Sequence, residues 1–354
     1  MVAAMDLRNR RGRLRAESQP YAERLARLNA VRDLYGAPER VSSADPFEPR
    51  QDGLGMAQTF GGVAPSQFFV RPPRVQPRVR PVRALPWGGE CVELSWPSTS
   101  EPYAAPVRDA YVAHIPNRTA AARLYVGGKP RPVAIVVHGY MAGQWAIEER
   151  AWPLAWLHRR GLDVAIAVLP FHGVRARAEG GSPPFPGPDP RFTIEGFRQA
   201  IADLRALIAI VRERGAPAVG VMGMSLGGYT TSLLATLEDD LAFVAPLIPL
   251  ASFADIARDQ GRLGTGAQAA QLHAAMEAAG RVVSPFARAS RVAPGRALVV
   301  GAEADQVTPI AHAERIARHL GAPLLRVRGG HLVQVWRREA FGAIGAMLEK
   351  NGVV

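Results

Sequence analysis

Ala218-Val219-Gly220-Val221-Met222-Gly223-Met224-Ser225-Leu226-Gly227-Gly228-Tyr229 decides how the chain is read. The apolar run Ala218–Met222 reads as a buried strand and Tyr229–Leu237 as a helix. Between them, Gly223-Met224-Ser225-Leu226-Gly227 has the form G-x-S-x-G, a weak signal alone that gains meaning from a strand before it and a helix after it. A turn this tight crowds the backbone at 223 and 227, where a Cβ would not fit. The following helix aims its first N–H groups at the serine, so negative charge is favoured there.

The flanks extend the pattern. Near-continuous apolar runs at Val133–Val137, Val164–Leu169, Phe243–Ala245, Ala297–Val300 and Leu324–Val327 read as strands buried on both faces, as in a parallel sheet. Shorter β-prone segments stand at Glu90–Leu94 and Tyr111–Ile115. Helical segments separate most of these strands. The clearest is Thr193–Arg214, with Ile194, Phe197, Ile201, Leu204, Ile208 and Val211 on one stripe and Gly215 as its stop. Strand–helix alternation predicts a doubly wound α/β sheet. Pro246 and Pro249 fit a central strand poorly, so that strand is expected to end early or bend. Two insertions, Gly173–Pro190 and Ser252–Arg291, follow strand C-termini, where open α/β sheets place their ligands. The second holds helix-prone Ala267–Ala279 and reads as a small lid.

Residues 1–85 read differently and form an N-terminal arm, with the α/β domain at 86–354. Tyr21, Leu25, Leu28, Val31 and Tyr35 mark one amphipathic helix. A lone helix of this length is marginal in water, so it is expected to pack on the domain body or on a second subunit, which makes a homo-oligomer through the arm one expectation. The Pro/Arg run from Phe69 to Arg83 can be neither a helix nor a central strand and reads as an extended arm.

Composition bounds the function. With 354 residues, 48% of them apolar and 21% charged, the chain can bury a sizeable core. It has no apolar stretch long enough for a transmembrane helix, and the basic start Met1–Arg15 lacks the apolar core of a secretory signal. Cys91 is the single cysteine, which removes disulfide frameworks and cysteine zinc sites. A cytoplasmic protein is the expectation. The net charge of +12 invites nucleic acid or an anionic membrane, but 41 of the 43 basic residues are arginine, which points to coding bias, so neither is expected as a partner. No carboxylate–histidine cluster stands at metal spacing, and no metal or cofactor is expected.

A serine hydroxyl needs a base to take its proton. Of the eight histidines, His331 in Arg328-Gly329-Gly330-His331-Leu332 directly follows the strand Leu324–Val327. The base needs an orienting carboxylate. Asp305, past the strand Ala297–Val300 and before Val307-Thr308-Pro309, is favoured over Glu303, two residues nearer the strand. Donors for a developing oxyanion are the N–H of Leu226 and, after Val133–Val137, the N–H of Tyr140 or of Met141 in His138-Gly139-Tyr140-Met141-Ala142-Gly143. His138 and His172 read as loop-bracing histidines and His273 as a solvated one, while Trp145, Trp152 and Trp156 read as packing residues.

The order Ser225…Asp305…His331, the His138-Gly139 turn and the Gly223–Gly227 elbow resemble the α/β-hydrolase superfamily over about residues 130–345. The segment Leu169–Arg175 resembles a variant loop of esterases in that superfamily, whereas the N-terminal arm departs from its common pattern. The resemblance implies an eight-stranded, mostly parallel sheet with helices on both faces. It implies Ser225 as nucleophile, His331 as base, Asp305 as acid, and Tyr140 and Leu226 as the oxyanion hole. The activity implied is hydrolysis of a carboxylic ester, thioester or amide through an acyl-enzyme, with a small acyl substrate as partner. An acyltransferase and a catalytically silent binding protein on the same fold are the alternatives.

Overall fold

The computed structural model describes residues 21–34, 68–177 and 181–354. Its helices of five or more residues are α1 (Tyr21–Leu34), α2 (Arg108–Val112), α3 (Trp145–Ala151), α4 (Leu154–Arg159), α5 (Pro190–Glu213), α6 (Leu226–Leu234), α7 (Phe253–Asp259), α8 (Gly266–Gly280), α9 (Ile310–Leu320) and α10 (Arg337–Lys350). The strands are β1 (Arg78–Ala84), β2 (Glu90–Pro97), β3 (Thr119–Val126), β4 (Val133–Val137), β5 (Asp163–Ala167), β6 (Val219–Met224), β7 (Val244–Leu247), β8 (Val299–Ala302) and β9 (Leu324–Val327). They form one sheet in the order β1-β2-β3-β5-β4-β6-β7-β8-β9. β1, β2, β3 and β5 pair antiparallel in turn, and the run from β5 through β9 is parallel.

The sheet therefore has nine strands rather than eight. The added edge strand is β1, drawn from the Pro/Arg run that reads as an arm. Pro81 is tolerated there because β1 lies at the sheet edge and its register with β2 shifts between Pro81 and Arg83. Upstream of it, Phe68 and Phe69 are buried, and the Phe68 carbonyl accepts from Arg198 Nε on α5 at 2.8 Å.

One other expectation is corrected. Tyr111–Ile115 is not a strand: α2 ends at Val112 and a 3₁₀ turn follows at Ile115–Arg118, with Pro116 inside it. Tyr111 is instead drawn inward by a hydrogen bond from its hydroxyl to Gln199 Oε1 (2.7 Å). The strand at this place is β3, whose first half, Thr119–Arg123, holds three alanines and carries little β signal. As expected of a strand flanked by Pro246 and Pro249, β7 is short: it runs through Pro246, which pairs with Gly223, ends at Leu247, and the chain bends at Ile248, where φ is +39°. The ladder survives one missing donor because Ser225 N–H bonds to Leu247 O (3.0 Å) and Ile248 N–H to Val300 O (2.7 Å).

Ala134 and Val136 of β4 and Val164 and Ile166 of β5 share an apolar cluster with Trp152, just past α3, Leu157 of α4, and Phe341, Ile344 and Leu348 of α10. Alternate residues such as Val133, Ile135 and Val137 are equally buried and face the other side, where α6 lies against β4 and β6. α5 begins with Asp189 accepting from Arg191 N–H at 2.9 Å and Pro190 in its first turn.

The chain divides into two compact units, Met1–Ala64 with Ser252–Val282 and Pro65–Ala251 with Val283–Val354. In the first, Tyr21, Leu25 and Leu28 of α1 pack on a cluster of Ala257, Leu263 and Leu272, and the Tyr21 hydroxyl bonds to Gln271. The helix stripe thus has its partner surface on α8 of the insertion. Tyr35 and the basic start lie outside the described residues. Among the described residues, no helix is long and apolar enough to cross a membrane.

Candidate active site

The chain runs from β4 to β5 on one side of β4 and then crosses to β6 on the other, and the crevice of an open α/β sheet opens at the C-terminal ends of strands at such a reversal. Val137 is level with Gly223 across that boundary. Ser225 sits just past β6 with φ 58° and ψ −112°, a left-handed conformation that costs a non-glycine residue about 1–3 kcal/mol. The two glycines are forced by contact. A Cβ on Gly223 would stand 2.1 Å from Gly227 O, and one on Gly227 would stand 2.1 Å from Val137 O. Leu226 opens α6, so its N–H has no intrahelical acceptor.

Asp305 follows β8 and is buried. Its Oδ1 accepts the N–H groups of Val307 and Thr308, each at 2.8 Å. Its Oδ2 takes His331 Nδ1 at 2.7 Å and the Thr308 hydroxyl at 3.1 Å. The same hydroxyl lies 3.2 Å from His331 Nδ1 and 3.1 Å from Ile248 O. Glu303 is exposed, and the carboxylate that meets the histidine is Asp305. The two loops are tied by Ala304 N–H to Gly329 O at 3.0 Å. With Nδ1–H given to Asp305, Nε2 is the basic nitrogen of His331.

The third link stays open. No hydrogen bond joins Ser225 to His331 among the described residues. The His331 loop nevertheless reaches the elbow: Gln334 Nε2 donates to His331 O (2.9 Å) and to Met224 Sδ (3.2 Å), beside the serine. On the other side, a Cβ on Gly139 would lie 3.5 Å from Ser225 Cβ, so the loop after β4 also abuts it.

That loop is held by buried polar groups. His138 gives Nδ1–H to Gly139 O (2.8 Å) and accepts Leu169 N–H on Nε2 (3.0 Å). Burial lowers its pKa to about 4, so it braces as a neutral ring. The His172 ring lies 5.0 Å from it, tilted by 54°, gives Nδ1–H to Pro170 O, and is pushed down to about 3, chiefly by burial and then by His138. Glu148 accepts Gly143 N–H (2.8 Å) and Trp152 Nε1–H (3.0 Å), and burial raises its pKa. Trp152 is core, as expected.

Sequence reading missed Thr308 as a partner of the dyad, and it missed Glu148 and Gln334. Only Glu148 left a signal, standing four residues before Trp152 on a helical stretch. His273, expected to be solvated, is half-buried, and its Nε2 meets Asp255 Oδ1 at 2.9 Å. Folding also brings Asp255, His273 and Glu277 within ligand reach of one another, a grouping that sequence spacing hides. Arg258 lies 3.0 Å from the same Asp255 oxygen and already supplies a positive charge there.

No family model matches the chain. Two curated relatives, the uncharacterized proteins MT2702 and Rv2627c of Mycobacterium tuberculosis, are each 29% identical over 82% of this chain and 71% of their own length. Among solved structures, the acetyl xylan esterase of a Paenibacillus species superposes with a TM-score of 0.54 at 16% identity, covering 90% of this chain and 98% of that one. Acetyl xylan esterase 1 of a Thermoanaerobacterium species gives 0.53 at 17%, covering 91% and 98%. The mixed sheet, its helices and these two superpositions agree: the chain has the α/β-hydrolase fold.

Proposed function

We propose that the protein is a serine hydrolase acting on carboxylic esters. The observation that carries this reading is the 2.7 Å bond from His331 Nδ1 to Asp305 Oδ2, which leaves Nε2 as a base at the same sheet edge as the left-handed Ser225 turn. Ser225 Oγ attacks the ester carbonyl as His331 Nε2 takes its proton. Oxygen charge is met by the N–H groups of Leu226 and Tyr140. The C–O bond to the alcohol breaks, and the imidazolium returns its proton to the departing alkoxide. Water then attacks the acyl-serine, again losing a proton to His331, and frees the carboxylic acid and Ser225. The Ser225–His331 bond closes only in the substrate complex, where catalytic hydrogen bonds commonly tighten. A fold shared with two acetyl xylan esterases fits an ester substrate with a small acyl group.

Turnover of p-nitrophenyl acetate by the parent protein and by Ser225→Ala tests the reading. Hydrolysis by the parent and its loss in the variant are expected. Equal rates would overturn it.

A further inference from the structure

The loop that carries His331 has little apolar anchorage of its own. Leu332, Val333 and Val335 are 48%, 70% and 71% exposed, so the residues flanking the histidine do not hold it by packing. Polar ties hold it instead. Gly330 N–H bonds to Val333 O at 3.2 Å, and the indole N–H of buried Trp336 bonds to Gly330 O at 3.3 Å. These ties shape the loop but do not fix where it sits relative to the serine.

Gln334 supplies that reference. Its Nε2 carries two hydrogens and makes two contacts, one to the carbonyl of His331 and one to the sulfur of Met224, the last residue of β6. Its Oε1 accepts from Arg337 Nη1 at 2.8 Å. Arg337 in turn bonds through Nη2 to the Ala151 carbonyl at the end of α3. A guanidinium is donor-only, so Arg337 fixes which end of the amide is oxygen and turns both N–H groups toward the histidine loop and the elbow.

We propose that Gln334 is a positioning residue for His331, holding the histidine loop against the elbow strand and so setting the span from His331 Nε2 to Ser225 Oγ. This rests on the serine-hydrolase reading. Gln334 touches neither substrate nor reacting atoms. Its effect reaches the chemistry through the His331 backbone, so it belongs in kcat rather than in substrate binding.

Gln334→Glu is the informative variant. It keeps the length and the acceptor for Arg337 but has no hydrogen to give His331 O or Met224 Sδ. The full-length parent, Gln334→Glu and Gln334→Ala are compared for kcat and KM on p-nitrophenyl acetate at the pH plateau, for the rate of Ser225 labelling by a fluorophosphonate, and for melting temperature. Both variants are expected to lose between about tenfold and a hundredfold in kcat and in labelling rate, because misplacement of about 1 Å costs that much. KM is expected to stay within about twofold, and melting temperature close to the parent. Met224→Leu removes the sulfur acceptor, and its effect on kcat is expected to be less than additive with Gln334→Ala. An active parent with an unchanged kcat in Gln334→Glu overturns the inference while leaving the hydrolase reading in place. A loss confined to KM, or one matched by a fall in melting temperature, also overturns it. A parent with neither turnover nor labelling removes the hydrolase reading and this inference with it.

Discussion

Asp305→Asn separates the dyad's chemistry from its architecture. An asparagine at 305 has one oxygen and one NH₂ to place in two different environments. The Oδ1 position faces two backbone donors, Val307 N–H and Thr308 N–H, both at 2.8 Å. The Oδ2 position faces His331 Nδ1 at 2.7 Å and the Thr308 hydroxyl at 3.1 Å. Placing the NH₂ at Oδ1 would strand two buried N–H donors, at about 1–3 kcal/mol each. Placing it at Oδ2 costs far less, because the Thr308 hydroxyl can turn its hydrogen to Ile248 O and accept from the amide. The second arrangement therefore wins by roughly 2–6 kcal/mol. It forces His331 to accept on Nδ1 and carry its proton on Nε2, the wrong tautomer for taking a proton from Ser225. Folding should survive while kcat on p-nitrophenyl acetate falls by about 10⁴, the loss known for the corresponding change in a serine protease triad. Glu303→Gln, at an exposed position, should stay near the parent. A kcat for Asp305→Asn within tenfold of the parent, or a larger loss in Glu303→Gln, would refute the assignment.

Two further predictions concern the frame. Gly227→Ala drives a Cβ to 2.1 Å from Val137 O and 2.7 Å from His138 O, backbone atoms that cannot yield. It should cost at least the roughly 1–3 kcal/mol of ordinary overpacking, whereas Gly128→Ala, with open space around it, should be near neutral in thermal melts. Equal melting points would contradict the elbow geometry. His138 and His172, held at about 4 and about 3 by burial, face each other and Arg175. Their folded pKa values lie below the unfolded value near 6.5, so the unfolded chain binds more protons and stability drops as pH falls from about 6.5 toward 4. The His138 shift alone corresponds to on the order of 3 kcal/mol. His172→Phe should flatten that decline in melting temperature, and an unchanged slope would remove the pair as its source.

The sheet and the site were unequally legible. β4 can be read at its true limits because it is a compact, fully buried apolar run, whereas β9, at the sheet edge, is less buried than expected and exposes Arg326. β3 was invisible because Thr119-Ala120-Ala121-Ala122-Arg123 has neither β-branched density nor alternation, and its place in the sheet comes from pairing with β2 along eight residues. Tyr111–Ile115 misled for the opposite reason: its local β tendency loses to a buried Tyr111–Gln199 hydrogen bond. The contact of Asp305 with His331 could be read from the position of Asp305 past a strand, since loop length sets reach. Thr308 and Gln334 could not, because a hydroxyl and an amide gain their roles only from neighbours more than twenty residues away, at His331 and at Met224.

The proposed serine-hydrolase reading requires Ser225 to be an activated nucleophile. Intact-protein mass measurement after incubation with a fluorophosphonate tests it most directly. One adduct per chain is expected, mapped to Ser225 by peptide sequencing, absent in Ser225→Ala and strongly slowed in Asp305→Asn. An unmodified parent, or an adduct that persists in Ser225→Ala, would contradict it.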